Sequence, residues 1–185
     1  MYKDFEYFLN GVFYSLYRGE VWFNKKIDKI VPVIYRWILS LPFTSRLKKK
    51  LEQRTSKELR RIEEIKYGKN FGISIGMANH LFVDFYLGYP AIISFLIAGI
   101  TLKVYEQLNT FPILAISAIP IGLGYIPAYR AVFSNDEYLK YFKQFEKEDE
   151  QWHKKWERRT WGFCIGSIIA TILGLCSFFL IAIVL

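Results

Sequence analysis

The chain has 185 residues, 52% of them hydrophobic and 23% charged, with a formal net charge of +8. Apolar and charged residues at these levels must be segregated along the chain, which excludes an evenly mixed soluble fold. Gly162–Leu185 carries 24 residues without a charge, more than a core helix needs and enough to cross a bilayer.

Residues 1–70 read as a helical region at the cytoplasmic face or in the membrane interface. Tyr2, Phe5, Phe8, Val12 and Phe13 recur at helical spacing, with Leu9 and Leu16 beside them. Ile30–Phe43 is apolar but contains Pro32, Arg36 and Pro42, and is too short to span. Trp22, Tyr35 and Trp37 suit the headgroup level. Residues 1–43 therefore read equally well as helices lying on lipid or as a small core packed on itself. A basic helix follows over 44–67, opened by Thr44 or Ser45. Leu47, Leu51, Leu59, Ile62 and Ile65 form its apolar face, while Lys48, Lys49, Lys50, Arg60 and Arg61 supply contacts for anions. Glu52, Glu58, Glu63 and Glu64 offset part of that charge, so a solvated helix near the inner leaflet is the plain reading. Gly68, Gly72 and Gly76 mark a break over Gly68–Asn79.

Residues 71–129 comprise this linker and a transmembrane hairpin. The first span covers about 85–104 and contains Pro90. The second covers about 111–129 and contains Pro112, Pro120, Pro127, Gly122 and Gly124. The second is expected to be bent or partly broken. Residues 130–161 return to polar character. A helix is expected from Ser134 or Asn135 to about Thr160, with Leu139, Phe142, Phe145, Trp152 and Trp156 on one stripe and Asp149 as an acidic interruption. The third span is 162–185. The expected fold is all-α: a polytopic membrane protein with three transmembrane helices and cytoplasmic amphipathic helices.

Charge orients the chain. Residues 1–70 hold 16 of the 25 Lys and Arg, residues 130–161 hold 8, and Lys103 is the remaining one. The positive-inside rule then predicts a cytoplasmic N-terminal half, an external link at 105–110, a cytoplasmic segment at 130–161 and an external C-terminus. A bacterial inner membrane is the expected setting. Met1–Asn10 lacks a basic start followed by an apolar core, so insertion is expected to use the internal spans rather than a cleaved signal. The basic excess is read as contact with the anionic inner leaflet rather than with nucleic acid.

Chemistry is sparse. Cys164 and Cys176 lie twelve residues apart on one expected helix, a rise of ~18 Å, so they cannot bridge each other. His80 and Asp84 are four apart and would share a helix face where the first span begins. They are the weak catalytic candidates. Two ligands without a third do not define a metal site, and the spacing is one residue short of the His-x4-Asp pattern of lipid acyltransferases. The plainer reading is that Asp84 stabilises a helix start and His80 is interfacial. No P-loop, dinucleotide fingerprint or Gly-x-Ser-x-Gly occurs, so no cofactor is expected. Trp152, Trp156 and Trp161 read as interfacial anchors beside the third span, and Arg158 and Arg159 between them as further contacts for anions at the membrane surface.

The clearest motif is structural. Gly162, Gly166, Ala170 and Gly174 recur every four residues, a small-residue face that admits another helix closely. It reads either as a subunit interface or as packing against a span of the same chain. The expected function is a non-enzymatic membrane protein that oligomerises through its spans, of the pore-forming, effector or immunity kind. The alternatives are an accessory or scaffold subunit of a larger membrane complex, and a lipid-modifying enzyme using His80 and Asp84.

Overall fold

The structure, a computed structural model, describes residues 2–39, 56–70, 72–104 and 110–184, with side chains at 31–39, 56–60, 110 and 184 outside that description. The expectations for Lys48, Lys49 and Lys50 and for the 105–109 link fall outside the described residues. So do those for the side chains of Trp37 and Arg60.

The described residues are helical almost throughout, without a strand. They form α1 (Tyr2–Leu39), α2 (Ser56–Tyr67), α3 (Ile73–Val104), α4 (Thr110–Val132), a 3₁₀ turn (Ser134–Asp136), α5 (Glu137–Phe145) and α6 (Glu150–Phe179), closed by a π turn (Leu180–Val184). Among the described residues three helices are long and apolar enough to cross a membrane, namely α3, α4 and α6. The protein is thus an all-α membrane protein with three membrane-crossing helices.

Element boundaries differ from expectation in three places, each for a physical reason. First, α3 begins at Ile73, twelve residues before the expected span. The helical path continues because Ile75, Ala78 and Phe82 bury one stripe at helical spacing. One Gly in a helix costs only about 1 kcal/mol. Hydrogen bonds from Gly68 N to Glu64 O, Gly72 N to Gly68 O and Gly76 N to Gly72 O carry helical pairing through the glycine-rich link. At Gly72 a Cβ would strike the Gly68 backbone, so glycine is required there.

Second, residues 134–160 are two helices, not one. Asn135 and Asp136 both adopt φ of 54°, a left-handed conformation that Asn and Asp tolerate better than most residues. A second interruption precedes α6, where the Asp149 carboxylate accepts a hydrogen bond from Trp152 N at 2.7 Å. Asp149 is therefore the N-cap of α6 and not a defect in an aromatic stripe. α6 then continues from its polar start through the expected boundary at Gly162. Third, α4 stays one helix through Pro120 and Pro127, so of the expected bend or partial break the break does not occur.

The chain divides into two compact units, residues 16–79 and residues 1–15 with 80–185. In the first unit, Tyr17 OH donates to Tyr67 O at 2.8 Å and Asn24 Nδ2 donates to Ser74 Oγ at 3.1 Å, so α1 binds both α2 and the start of α3. Asp28 pairs with Lys66 and accepts a hydrogen bond from Tyr67 OH.

The second unit holds an aromatic core where α1, α5 and the beginnings of α3 and α6 meet. Phe13 packs edge-on to Phe82, Phe133 and Tyr138, with ring centroids 5.3–5.5 Å apart. Tyr14 meets Phe142 at 5.0 Å, and Phe145 meets Trp152 at 4.8 Å. Trp156 is 2% exposed. Burying each such side chain contributes about 1.5–3 kcal/mol, and a well-placed ring pair about 0.5–1.5 kcal/mol more. Asn10 is fully buried inside this apolar set and donates to Ala131 O at 2.8 Å and Glu6 O at 2.9 Å, fixing α1 against the end of α4.

Candidate functional site

The small-residue face is the candidate with the most geometry. Seen from α6, Gly166 lies against Tyr89, whose hydroxyl would be 2.8 Å from a Cβ and which donates to Phe163 O at 2.8 Å. Ala170 is buried. At Gly174 a Cβ would fall 2.8 Å from Phe95 Cδ2 and 3.1 Å from Ile92 Cα. α3 answers with its own glycines. A Cβ at Gly88 would run into Ser167 and Thr171, and one at Gly99 would lie 3.3 Å from Ile181 Cβ and Phe178 O. Of the two readings of this face, the intrachain one describes Gly166, Ala170 and Gly174. Gly162 differs, since a Cβ there would meet nothing within 4 Å.

α4 stands apart from this seam. Tyr86 OH donates to Gly124 O at 3.1 Å, and a Cβ at Gly124 would lie 2.8 Å from Pro90 Cβ. Only 6% of its most apolar stretch is buried, against 22% for the corresponding stretches of α3 and α6. Ala115, Ala118 and Gly122 are exposed along one side, flanked by Phe111, Ile119 and Ile126, which are exposed too. At Gly122 a Cβ would meet nothing within 4 Å. The Ser117 hydroxyl bonds back to Ile113 O at 2.7 Å, so its polarity is absorbed within the helix.

The tryptophans separate into two sets. Trp22 and Trp161 are 58% and 63% exposed and project outward beside basic residues. Lys26 Nζ lies 3.9 Å above the Trp22 ring, a favourable cation–π geometry. Trp156 departs from the expected anchor role. Its ring is buried among Tyr7, Phe8 and Phe145, and its Cζ3 edge occupies the space that a Cβ at Gly11 would need. Trp152 is half-buried in the same cluster. Among the expected anion contacts, Arg61, Arg158 and Arg159 are exposed, and Arg159 also stands 5.0 Å from the Trp156 ring.

His80 and Asp84 are both exposed on α3, one turn apart. No cluster of three or more His, Cys, Asp or Glu able to hold a metal occurs among the described residues. Polar chemistry gathers elsewhere, at a group that sequence spacing does not reveal. Hydrogen bonds from Lys66 and Tyr67 hold the Asp28 carboxyl below its usual range. Burial and then the Asp28 hydrogen bond push the Tyr67 hydroxyl up to about 12. Beside it an open cavity of about 590 Å³ is lined by Lys25, Glu63, Glu64, Tyr67 and Gly68. Its mixed charges select neither an anion nor a cation. In the other unit, burial and then a hydrogen bond to Glu6 raise Tyr141 to about 12.

These features define a class: a multi-pass α-helical membrane protein whose outer spans are packed through glycine and whose middle span is nearly bare. Protein-family models, curated proteins and solved structures offer no match to the chain.

Proposed function

We propose that the protein is a non-enzymatic membrane component that acts by assembling with copies of itself through its middle span. The observation that carries this reading is the bare side of α4, where Ala115, Ala118 and Gly122 leave room for close helix approach. The glycine face of α6 supports the same reading by elimination. It is filled by α3, so an interface between copies falls to α4. With the basic residues inside, α1, α2 and α5 are cytoplasmic and available as a scaffold or gate, and the assembly is of the effector or pore kind.

Native mass in mild detergent and in lipid nanodiscs tests assembly. The expected result is a discrete oligomer that Gly122→Leu converts to a folded monomer. A monomer in both media would sink the proposal and leave the accessory-subunit reading, in which a different chain covers α4. Dye and ion flux from proteoliposomes then reports whether the oligomer conducts. Orientation is tested separately with single cysteines at Gln107 and Lys140. Only the first is expected to react with an impermeant reagent from outside.

A further inference from the structure

The stretch of α1 from Arg18 to Ile30 displays two adjoining exposed stripes. At helical spacing Arg18, Lys25, Lys26 and Lys29 share one side with Trp22 between them, and all five are exposed. Phe23, Ile27 and Ile30 form the neighbouring stripe and are exposed as well. Of its acidic residues, Asp28 lies off both stripes, while Glu20 falls in line with Phe23 and Ile27 at the N-terminal end of the apolar stripe. Asp28 is bonded to Lys66 and Tyr67, and Glu20 is half-buried. Lys25 stands at the edge of this arc, where it also borders Glu63 and Glu64 of α2; away from that edge and C-terminal to Glu20 the outward arc is cationic and apolar.

We propose that this arc of α1 is a binding surface for an anionic bilayer, with Phe23, Ile27 and Ile30 seated among acyl chains and the four cations at the headgroups. Three observations select a lipid surface as the occupant. Away from the Lys25 edge, Arg18, Lys26 and Lys29 give the arc charge of one sign, which complements phospholipid anions. A basic stripe flanking an apolar one is the arrangement of a helix lying in the interface plane. Trp22, capped by Lys26 at 3.9 Å, puts on the cationic stripe an amphipathic ring of the kind that favours the headgroup region. The chain's own spans keep this helix tethered to a membrane, so a modest surface suffices. This inference stands independently of how α4 is covered.

The test uses the full chain with Cys164→Ala and Cys176→Ala, carrying one nitroxide label at Ile27→Cys or, as a control on the same unit, at Glu64→Cys. Each is reconstituted into vesicles of phosphatidylcholine alone or mixed with phosphatidylglycerol. Accessibility is read with oxygen, which enters the lipid, and a neutral nickel chelate, which stays in water. At Ile27 oxygen access should exceed chelate access, several-fold more so with phosphatidylglycerol present, while at Glu64 the chelate should dominate throughout. Combined Lys25→Gln, Lys26→Gln and Lys29→Gln should abolish the phosphatidylglycerol dependence at Ile27, since each cation near an anionic surface is worth about fivefold in partitioning. A label at Ile27 as open to the chelate as one at Glu64 would overturn the proposal. So would one closed to both reagents and broadened by a second label, which would mean that another copy covers the arc. Unchanged lipid dependence in the triple variant would refute the role given to the lysines.

Discussion

Gly174→Ala and Gly162→Ala form a matched pair on one helix that decides what the small-residue face is for. If the face bound another subunit, both positions would be crowded in the oligomer, and both substitutions would lower native mass. The structure predicts that they part. At Gly174 the new methyl would sit 2.8 Å from Phe95 Cδ2 and 3.1 Å from Ile92 Cα, short of ordinary carbon contact by about 0.4–0.7 Å. The Phe95 ring can swing aside, but Ile92 Cα moves only if α3 moves with it. Overpacking of this kind costs about 1–3 kcal/mol, and the better helix propensity of Ala returns about 1 kcal/mol. The net expectation is a loss of about 0–2 kcal/mol, and Gly174→Leu should cost more. At Gly162 nothing lies within 4 Å, so only the propensity gain of up to about 1 kcal/mol remains. Thermal unfolding in detergent should therefore show Gly174→Ala below the parent and Gly162→Ala at or above it, with native mass the same for all three. Equal stabilities with a reduced mass in both variants would refute the intrachain seam.

The same logic applies within α1, where Gly11→Ala should destabilise because the Trp156 ring fills its Cβ position, whereas Gly19→Ala, with open space around it, should be neutral or stabilising; thermal melts compare them directly. Because Asp28 titrates below its ordinary value of 3.8 in the fold, its contribution is present above that pH and is lost as pH falls through the lowered value. Hydrogen exchange of α2, corrected for intrinsic rates, should show a modest loss of protection in that window, small because the pair is partly exposed, and Asp28→Asn should show no such step. Tyr67 and Tyr141 are raised from 10.0 to about 12, so their contribution holds below pH 10 and disappears as pH rises toward 12. Tyrosinate absorbance should show late-titrating tyrosines, and Tyr67→Phe with Tyr141→Phe should reduce their number by two.

The spans were legible because their signal is contiguous. A run such as Gly162–Leu185 needs no partner to be recognised. Signals that depend on a partner were legible only in part. The small residues of α6 stand at regular spacing, yet nothing in that spacing says whether the facing helix belongs to the same chain. The complementary Gly88 and Gly99 on α3 stand eleven residues apart and do not advertise a face. Trp156 resembles an anchor because its neighbours are Lys155 and Glu157, but its direction is set by Gly11, far away in the chain. Asp149 reads in sequence as an interruption of the aromatic stripe, since a cap is defined by the backbone amide it receives and not by its neighbours. The Asp28–Lys66–Tyr67 group joins residues 38 and 39 positions apart, beyond any local pattern.

The distribution of packing explains why α4 is the element left open. In hydrocarbon, apolar surface gains nothing by leaving lipid for protein, so helices hold together through close contact and hydrogen bonds. α3 and α6 have both, in the Gly88–Ser167 and Gly174–Ile92 approaches and the Tyr89–Phe163 bond. The aromatic core is built by α1, α5 and the starts of α3 and α6 beside the charged 134–160 segment, and it is held by close ring packing. α4 enters that core only through its last turn, by Ala128, Ala131 and Val132, and through the Asn10 bond to Ala131 O. Along the rest of its length it touches the chain chiefly through Gly124, at Pro90 and Tyr86. A span fixed at one end and bare above it can accept a further helix without disturbing the rest of the fold. Removing its fixed end therefore distinguishes the two parts of the molecule: Asn10→Ala should loosen α4 and weaken assembly while leaving the α3–α6 seam, read by hydrogen exchange of the two helices, intact. A seam that came apart with it would show that the three spans form one unit, and the case for α4 as a separate docking element would fail.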